Sequence, residues 1–142
     1  MTGVPIDLNA DVGEGLDVAD AAILPLVTSA TVACGGHAGD LRTMRSTVAL
    51  AIEHGVGIGA HPGYPDREGF GRRAIDIDAA DLQASVREQL DALAAVAAEA
   101  GARVVHVKPH GLLYNEAAAD PDLAQLLAEV VAAWDADVLL VL

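Results

Sequence analysis

Side chains that can carry out acid–base or metal chemistry follow short apolar segments of this 142-residue sequence. Asp11 follows the first of these segments, His61 the third, and Lys108 and His110 the fourth. Carboxylate and neutral imidazole groups bind divalent metals, and the same groups serve as general acids and bases. A lone histidine more often packs against a neighbour, but several at equivalent positions favour a site. Both chemistries therefore stay open at this point.

Further polar groups accompany these residues. Asn9 stands beside Asp11, His37 follows the second apolar segment, and Asn115 comes shortly after His110. Glu14 is expected to cap a helix. Lys108 is either a solvated surface cation or a positive charge for a carboxylate or phosphate. Three arginines in the 66–73 loop could likewise hold an anion, or the loop is simply a mobile surface segment; they are Arg67, Arg72 and Arg73.

The elements that must position these groups follow from the hydrophobic pattern. Five short apolar runs predict buried strands; they are Val4–Leu8, Thr31–Cys34, Val56–Ala60, Arg103–Val107 and Asp137–Leu142. Helical spacing predicts a helix from Asp40 to about His54, whose apolar stripe is Leu41, Met44, Val48, Ala51 and Ile52. It predicts a second helix between Asp78 and Gly101 and a third that begins at Asp120-Pro121. A weaker helical pattern covers Asp20–Val27.

This strand–helix alternation predicts an α/β fold with a parallel sheet, either a (β/α) barrel or an open doubly wound sheet. The carboxyl ends of parallel strands meet at one edge, where ligands bind. Because the polar groups follow the strands, we expect them to converge at that edge. The last run, Val138–Leu142, ends at the final residue, so we expect a single domain over 1–142 that is truncated at its C-terminus.

Composition excludes several classes of function. Eight Lys and Arg against 21 Asp and Glu give a net charge of −13, which disfavours nucleic acid and anionic lipid as partners. The apolar runs are shorter than the roughly 20 residues of a membrane span. The single cysteine, Cys34, excludes an internal disulfide framework. Residues 1–5 have no basic or apolar signal-peptide region, so we expect a cytoplasmic protein.

Four segments resemble, in order, the motifs of the family of 5-oxoprolinase A subunits, also called LamB/YcsF. These segments are Asp7–Glu14, Ala33–Asp40, Gly59–Asp66 with Gly69–Arg73, and Val107–Gly111 with Leu113–Asn115. They span nearly the whole chain. The family usually has Phe where Gly36 stands, which predicts looser packing beside His37.

The resemblance implies an irregular (β/α) barrel of the glycoside hydrolase/deacetylase type, of which this chain would be the N-terminal portion. Such barrels commonly have about 250 residues. It also implies a hydrolase that opens 5-oxoproline (pyroglutamate) to L-glutamate with ATP and the partner subunits B and C. By match to the deacetylase relatives, Asp11, His61 and His110 would form the catalytic or metal-holding cluster. Lys108 would join them as a catalytic cation that neutralises the substrate carboxylate or a phosphate.

Within the same resemblance, Asn9, His37 and Asn115 would orient the small-molecule substrate, and a divalent metal would accompany ATP as a cofactor. Two rival functions keep the same residues. The first is a stand-alone metal-dependent amide or carbohydrate deacetylase, which needs neither ATP nor a partner. The second is a non-enzymatic subunit that binds a small acid.

Overall fold

Parallel strands and helices alternate along the chain in the computed structural model, which describes residues 5–142. The strands are β1 (Asn9–Val12), β2 (Ser29–Ala33), β3 (Gly57–His61), β4 (Val104–Val107) and β5 (Leu139–Leu140). The α-helices are α1 (Asp17–Ile23), α2 (Leu41–Glu53), α3 (Ala79–Glu99), α4 (Gly111–Ala119) and α5 (Pro121–Trp134), and a 3₁₀ helix spans Leu24–Leu26. The predicted α/β class is confirmed.

The five strands lie in the sheet in their sequence order, and every neighbouring pair is parallel. A doubly wound sheet needs a reversal of strand order, and this order has none. The winding is therefore that of a (β/α) barrel. Within residues 5–142, β1 and β5 are the two edges of an open sheet. Closure of the barrel by further strands stays a prediction.

The two faces of the sheet differ in polarity. One face packs against the apolar sides of the helices, where Val12, Val32 and Leu90 are completely buried. The opposite face carries polar side chains, among them Asn9 in β1 and His106 in β4. Alternate residues of a strand point to opposite faces, so this pattern places Asn9, Asp11, His106 and Lys108 on one side of the sheet.

Three N-caps predicted from the sequence are confirmed. Asp40 accepts a hydrogen bond from the Thr43 amide at 2.8 Å, and its own amide donates to Thr43 Oγ1 at 2.8 Å, which forms a capping box. Asp78 caps α3 and Asp120 caps α5 through their side chains. The apolar stripe predicted for α2 is partly wrong, because Leu41 and Ile52 are 51% and 42% exposed while Thr47 is buried.

The first strand is displaced from its predicted position. The apolar run Val4–Leu8 was expected to form it, but the strand is Asn9–Val12. Val4 lies outside the described residues, and Ile6 is 83% exposed. The hydrophobic pattern does not predict a strand here, because only two of its four residues, Ala10 and Val12, contact the core.

The other differences concern helices and hydropathy. The helix predicted over Asp20–Val27 begins earlier, as α1, and continues as the 3₁₀ turn. Helix α4 was not predicted, since its N-cap residue His110 makes no side-chain cap. No helix in the described part of the chain combines the length and apolarity that a bilayer crossing requires.

Candidate functional site

Four strands bring their following residues to one place at the carboxyl edge of the sheet. Glu14 lies in the loop after β1, His37 in the loop after β2, His61 at the end of β3, and His110 after β4. One ligand atom from each of these four side chains lies within 4.8 Å of the other three. All three histidines are buried. Residues that are far apart in the sequence therefore form one compact cluster.

The rings of His61 and His110 turn their lone pairs towards each other. His61 Nδ1 donates to the Lys108 carbonyl at 2.6 Å, and His110 Nε2 donates to the Phe70 carbonyl at 2.8 Å. A carbonyl only accepts, so each bond places the ring proton on the outer nitrogen. His61 Nε2 and His110 Nδ1 are then two acceptors 3.0 Å apart. This arrangement calls for a cation or a shared proton between the two rings.

Glu14 completes the cluster as its anionic member. Its Oε1 lies 2.8 Å from His37 Nε2 and 3.3 Å from His110 Nδ1. Burial alone would raise the pKa of Glu14, but the neighbouring His110 and the hydrogen bond from His37 outweigh burial and hold that pKa well below its usual value. Glu14 does not cap a helix as expected, because α1 begins after Leu16. The cluster therefore keeps a carboxylate at neutral pH.

His37 differs from the other two histidines in its surroundings. Its ring stacks on that of His110, with centroids 3.5 Å apart and planes 2° from parallel. Burial lowers the pKa of His37, and the bond with Glu14 only partly offsets the shift. Within residues 5–142, its buried Nδ1 has no hydrogen-bond partner. No carbonyl therefore fixes the tautomer of the His37 ring. We infer that Nε2 carries the proton and donates it to Glu14, which orients the carboxylate.

An ion pair borders the cluster. Lys108 Nζ lies 2.5 Å from Asp11 Oδ1, and Asp11 Oδ2 lies 3.4 Å from His61 Nε2. Burial would raise the pKa of Asp11, but His61 and Lys108 together lower it. Asp11 is therefore a carboxylate next to the histidines. Lys108 contributes twice, since its carbonyl binds His61 while its ammonium group compensates Asp11.

The side chain of Asn9 binds the ammonium group of Lys108 through a hydrogen bond. Its Oδ1 accepts from Lys108 Nζ at 3.0 Å and from Thr31 Oγ1 at 2.8 Å. Its Nδ2 donates to Ser29 Oγ at 2.9 Å and lies 3.3 Å from His106 Nε2. An amide side chain offers two donors and two acceptor positions, so all four are engaged. The orientation of the Asn9 amide, and with it the position of Lys108, is fixed.

The donor set fits a divalent metal ion. A tetrahedral site with bonds of about 2.0–2.2 Å has ligand atoms roughly 3.3–3.6 Å apart. Glu14, His61 and His110 have reactive atoms 3.0, 3.3 and 3.7 Å apart, which brackets that range. Ligand histidines also usually donate their other nitrogen to a carbonyl or carboxylate, as His61 and His110 do. These three residues could hold the ion, and Asp11 lies beside them.

A cavity of about 320 Å³ opens directly onto the cluster. His61, His110, Asp11 and Lys108 line one side, and residues that include Arg72, Tyr114 and Asn115 line the rest. Its size suits a small molecule, and its walls are mostly polar. A ligand in this cavity would contact the ion pair and the histidines together.

Comparison with known proteins identifies the family. A sequence model of the LamB/YcsF family matches residues 6–142. The chain belongs to the LamB/YcsF family. The crystal structure of a lactam utilization protein from Thermus thermophilus is 43% identical, with a TM-score of 0.92. The match covers 98% of this chain and 58% of that protein, so the LamB/YcsF chain described here spans little more than half of its relative's length.

The four LamB/YcsF motifs of the sequence build this site. The structure brings together five of the seven site residues predicted from the sequence, namely Asp11, His37, His61, Lys108 and His110. Of the other two, Asn9 binds the ammonium group of Lys108, and Asn115 lies on the cavity wall. Sequence reasoning missed Glu14 as a site residue, although it follows β1 as His37 follows β2 and His110 follows β4. Cys34 is buried, and burial raises the pKa of its thiol to about 12.

Packing beside His37 is not looser in this LamB/YcsF chain, because Gln89 takes the space above Gly36. A Cβ on Gly36 would lie 2.3 Å from Gln89 Oε1. The same carboxamide accepts from the Gly63 amide at 3.0 Å and donates to the Gly63 carbonyl at 2.9 Å. Gly63 in turn packs against His37, since a Cβ there would lie 2.9 Å from His37 Nδ1. Gln89 thus supports the loop that confines His37.

Replacement of Gln89 by alanine is expected to destabilise the full-length protein by about 2–4 kcal/mol, because the Gly63 amide and carbonyl lose their partners in a buried place. The free energy of unfolding in urea measures this change. Gln125, exposed on α5, is the matched control, and its alanine variant should unfold like the wild type. Equal stability of the two variants would refute the role of Gln89.

Proposed function

We propose that this chain carries the catalytic site of a 5-oxoprolinase A subunit, which hydrolyses 5-oxoproline to L-glutamate with ATP and the partner subunits B and C. Membership of the LamB/YcsF family and the similarity to a lactam utilization protein support a lactam as the substrate. The observation that carries the proposal is the single cavity shared by the histidine cluster and the Asp11–Lys108 pair.

Glu14, His61 and His110 would hold a divalent ion, and His37 would orient the Glu14 carboxylate. When bound, such an ion polarises a carbonyl oxygen and lowers the pKa of a coordinated water. The fixed tautomers of His61 and His110 leave a lone pair on His61 Nε2 and on His110 Nδ1, and these two neutral nitrogens can coordinate the ion. Because burial lowers the pKa of His61, protons compete poorly with the ion for His61 Nε2 at neutral pH.

Lactam hydrolysis forms a bond from a water oxygen to the carbonyl carbon, breaks the C–N bond and adds a proton to the leaving nitrogen. Asp11 is placed to accept the proton of the attacking water, since its carboxylate is ionised and borders the cavity. Lys108 would stabilise the negative charge that develops on the carbonyl oxygen or on a phosphate attached to it. Transfer of the γ-phosphoryl group of ATP to that oxygen, with release of ADP, would make the carbon more electrophilic. Attack by water and opening of the ring would then release inorganic phosphate and glutamate.

Reconstitution tests the proposal. The full-length protein is combined with candidate subunits B and C, and 5-oxoproline loss and glutamate formation are followed with and without ATP. We expect glutamate only when ATP and both partners are present. Absence of turnover in every combination would refute the proposed activity. Binding of 5-oxoproline without turnover would favour the small-acid-binding subunit instead.

A stand-alone metal-dependent amide or carbohydrate deacetylase is the second candidate. The metal-type donor set favours it, because such hydrolases need only an activated water and a polarised carbonyl. Hydrolysis of acetylated amines or sugars by the purified protein, without ATP or partners, would support this candidate over the first.

Metal removal is expected to abolish hydrolysis under either proposal. Elemental analysis of the purified protein should find about one divalent ion per chain, consistent with one three-ligand site. The chelator is removed by gel filtration and Mg²⁺–ATP is supplied again, so that lost activity reports on the tightly held ion. Restoration by one equivalent of Zn²⁺ or Mn²⁺ is expected. Full activity of metal-free protein would contradict the metal site.

A further inference from the structure

The cavity contains two basic side chains, and only one of them is engaged by the protein. Lys108 donates two of its three N–H groups to Asp11 and to Asn9, which leaves one for the reacting oxygen. Arg72 also lines the cavity, but its guanidinium makes neither an ion pair nor a hydrogen bond with any of residues 5–142. An uncompensated cation at the wall of a cavity in a chain of net charge −13 attracts an anionic ligand.

The other two arginines of the same loop are occupied. Arg73 pairs with Asp66 at 2.5 Å. Arg67 donates to the carbonyls of Gly35 and Gly39 at 3.0 and 2.7 Å. Both therefore hold the loop in shape, and Arg72 is the member left available to a ligand.

The position of Arg72 is coupled to the catalytic cluster. Its guanidinium lies 5.2 Å from the centre of the Phe70 ring, a distance typical of a cation–π contact. Phe70 has a left-handed backbone, with φ of 55°, and its carbonyl accepts a hydrogen bond from His110 Nε2. One residue thus fixes both the tautomer of His110 and the side chain of Arg72.

We propose that Arg72 binds the carboxylate of an anionic lactam and selects such substrates over neutral lactams. This inference rests on the proposed function and assigns its substrate specificity. Arginine suits the role because its planar guanidinium binds a carboxylate through two parallel hydrogen bonds. Tyr114 and Asn115 line the same cavity and offer polar groups beside it.

Kinetics of the reconstituted complex test the inference with full-length Arg72→Gln and Arg72→Lys variants. The Gln variant is expected to raise the KM for 5-oxoproline roughly 10- to 100-fold, the cost of a hydrogen bond to a charged group, while the KM for ATP does not change. The Lys variant should fall between it and the wild type. Arg103→Gln is the matched control, because it removes the same charge directly before β4, at the opposite edge of the sheet.

Calorimetry makes the test independent of turnover. The affinities of the full-length protein for 5-oxoproline and for 2-pyrrolidinone, which lacks the carboxylate, are compared. We expect Arg72→Gln to weaken 5-oxoproline binding selectively and so reduce the preference between the two ligands.

An unchanged KM and affinity for 5-oxoproline would overturn the inference while leaving the proposed function intact. A shift in the KM for ATP instead would assign Arg72 to a phosphate and would also overturn it, as would an equal effect of Arg103→Gln. A wild-type complex that binds but does not turn over 5-oxoproline would refute the proposed function, and the calorimetric comparison would still decide the role of Arg72. Absence of any binding to the wild type would overturn both.

Discussion

Replacement of His61 by asparagine is expected to remove the bound ion. The loss of its transition-state stabilisation should lower kcat/KM for 5-oxoproline by roughly 10²- to 10⁴-fold. The asparagine amide can still donate to the Lys108 carbonyl, as His61 Nδ1 does at 2.6 Å. It has no atom in the place of Nε2, which lies 3.0 Å from His110 Nδ1. Glutamate formation and metal content per chain measure the two losses.

The matched control for His61 is His54, which is exposed at the end of α2. His54→Asn should keep both activity and metal. Circular dichroism of each variant shows whether the fold is retained. A correctly folded His61→Asn protein with normal turnover would remove His61 from the mechanism.

Replacement of Lys108 by methionine is expected to lower kcat/KM by roughly 10²- to 10³-fold, the effect of losing one charge-stabilising group, while the bound ion stays. The main-chain carbonyl of Lys108 still accepts from His61, so the tautomer of that ring does not change. The variant loses only the ammonium group that compensates Asp11 at 2.5 Å. Metal content and kcat/KM measured on the same variant therefore distinguish the role of the metal-holding cluster from that of the Asp11–Lys108 pair.

Lys108→Arg tests whether any cation suffices at this position. We expect partial activity, because the guanidinium does not fit the fixed positions of Asn9 and Asp11 as the ammonium group does. Arg103→Gln controls for the loss of one positive charge. Loss of the metal ion from Lys108→Met would contradict the separation of roles, because it would show that the side chain supports the ligands.

Much of the site could be predicted from the sequence because parallel strands impose one direction on everything that follows them. His37, His61 and His110 come after apolar segments, and the parallel order of β2, β3 and β4 brings them together. The three predicted aspartate caps were confirmed for a local reason, since an N-cap bond spans only two or three residues.

The features that escaped prediction depend on tertiary contacts. Strand β1 carries Asn9 and Asp11 on its polar side, and these side chains are stabilised by Lys108 from the end of β4, far away in sequence. Glu14 resembles a helix-capping residue until His37 and His110 are seen beside it. The same holds for Gln89, whose bonds to Gly63 could not be inferred from helical spacing.

The ion pair at the border of the cluster gives the chain a built-in spectroscopic reporter. Lys108 is the only lysine among the 142 residues, so labelling this segment with ¹⁵N-lysine yields a single side-chain ammonium resonance. That group lies against Asp11 and Asn9, at the wall of the cavity. Its chemical shift would follow ligand entry and the charge of Asp11 directly in solution, without any mutation of the site.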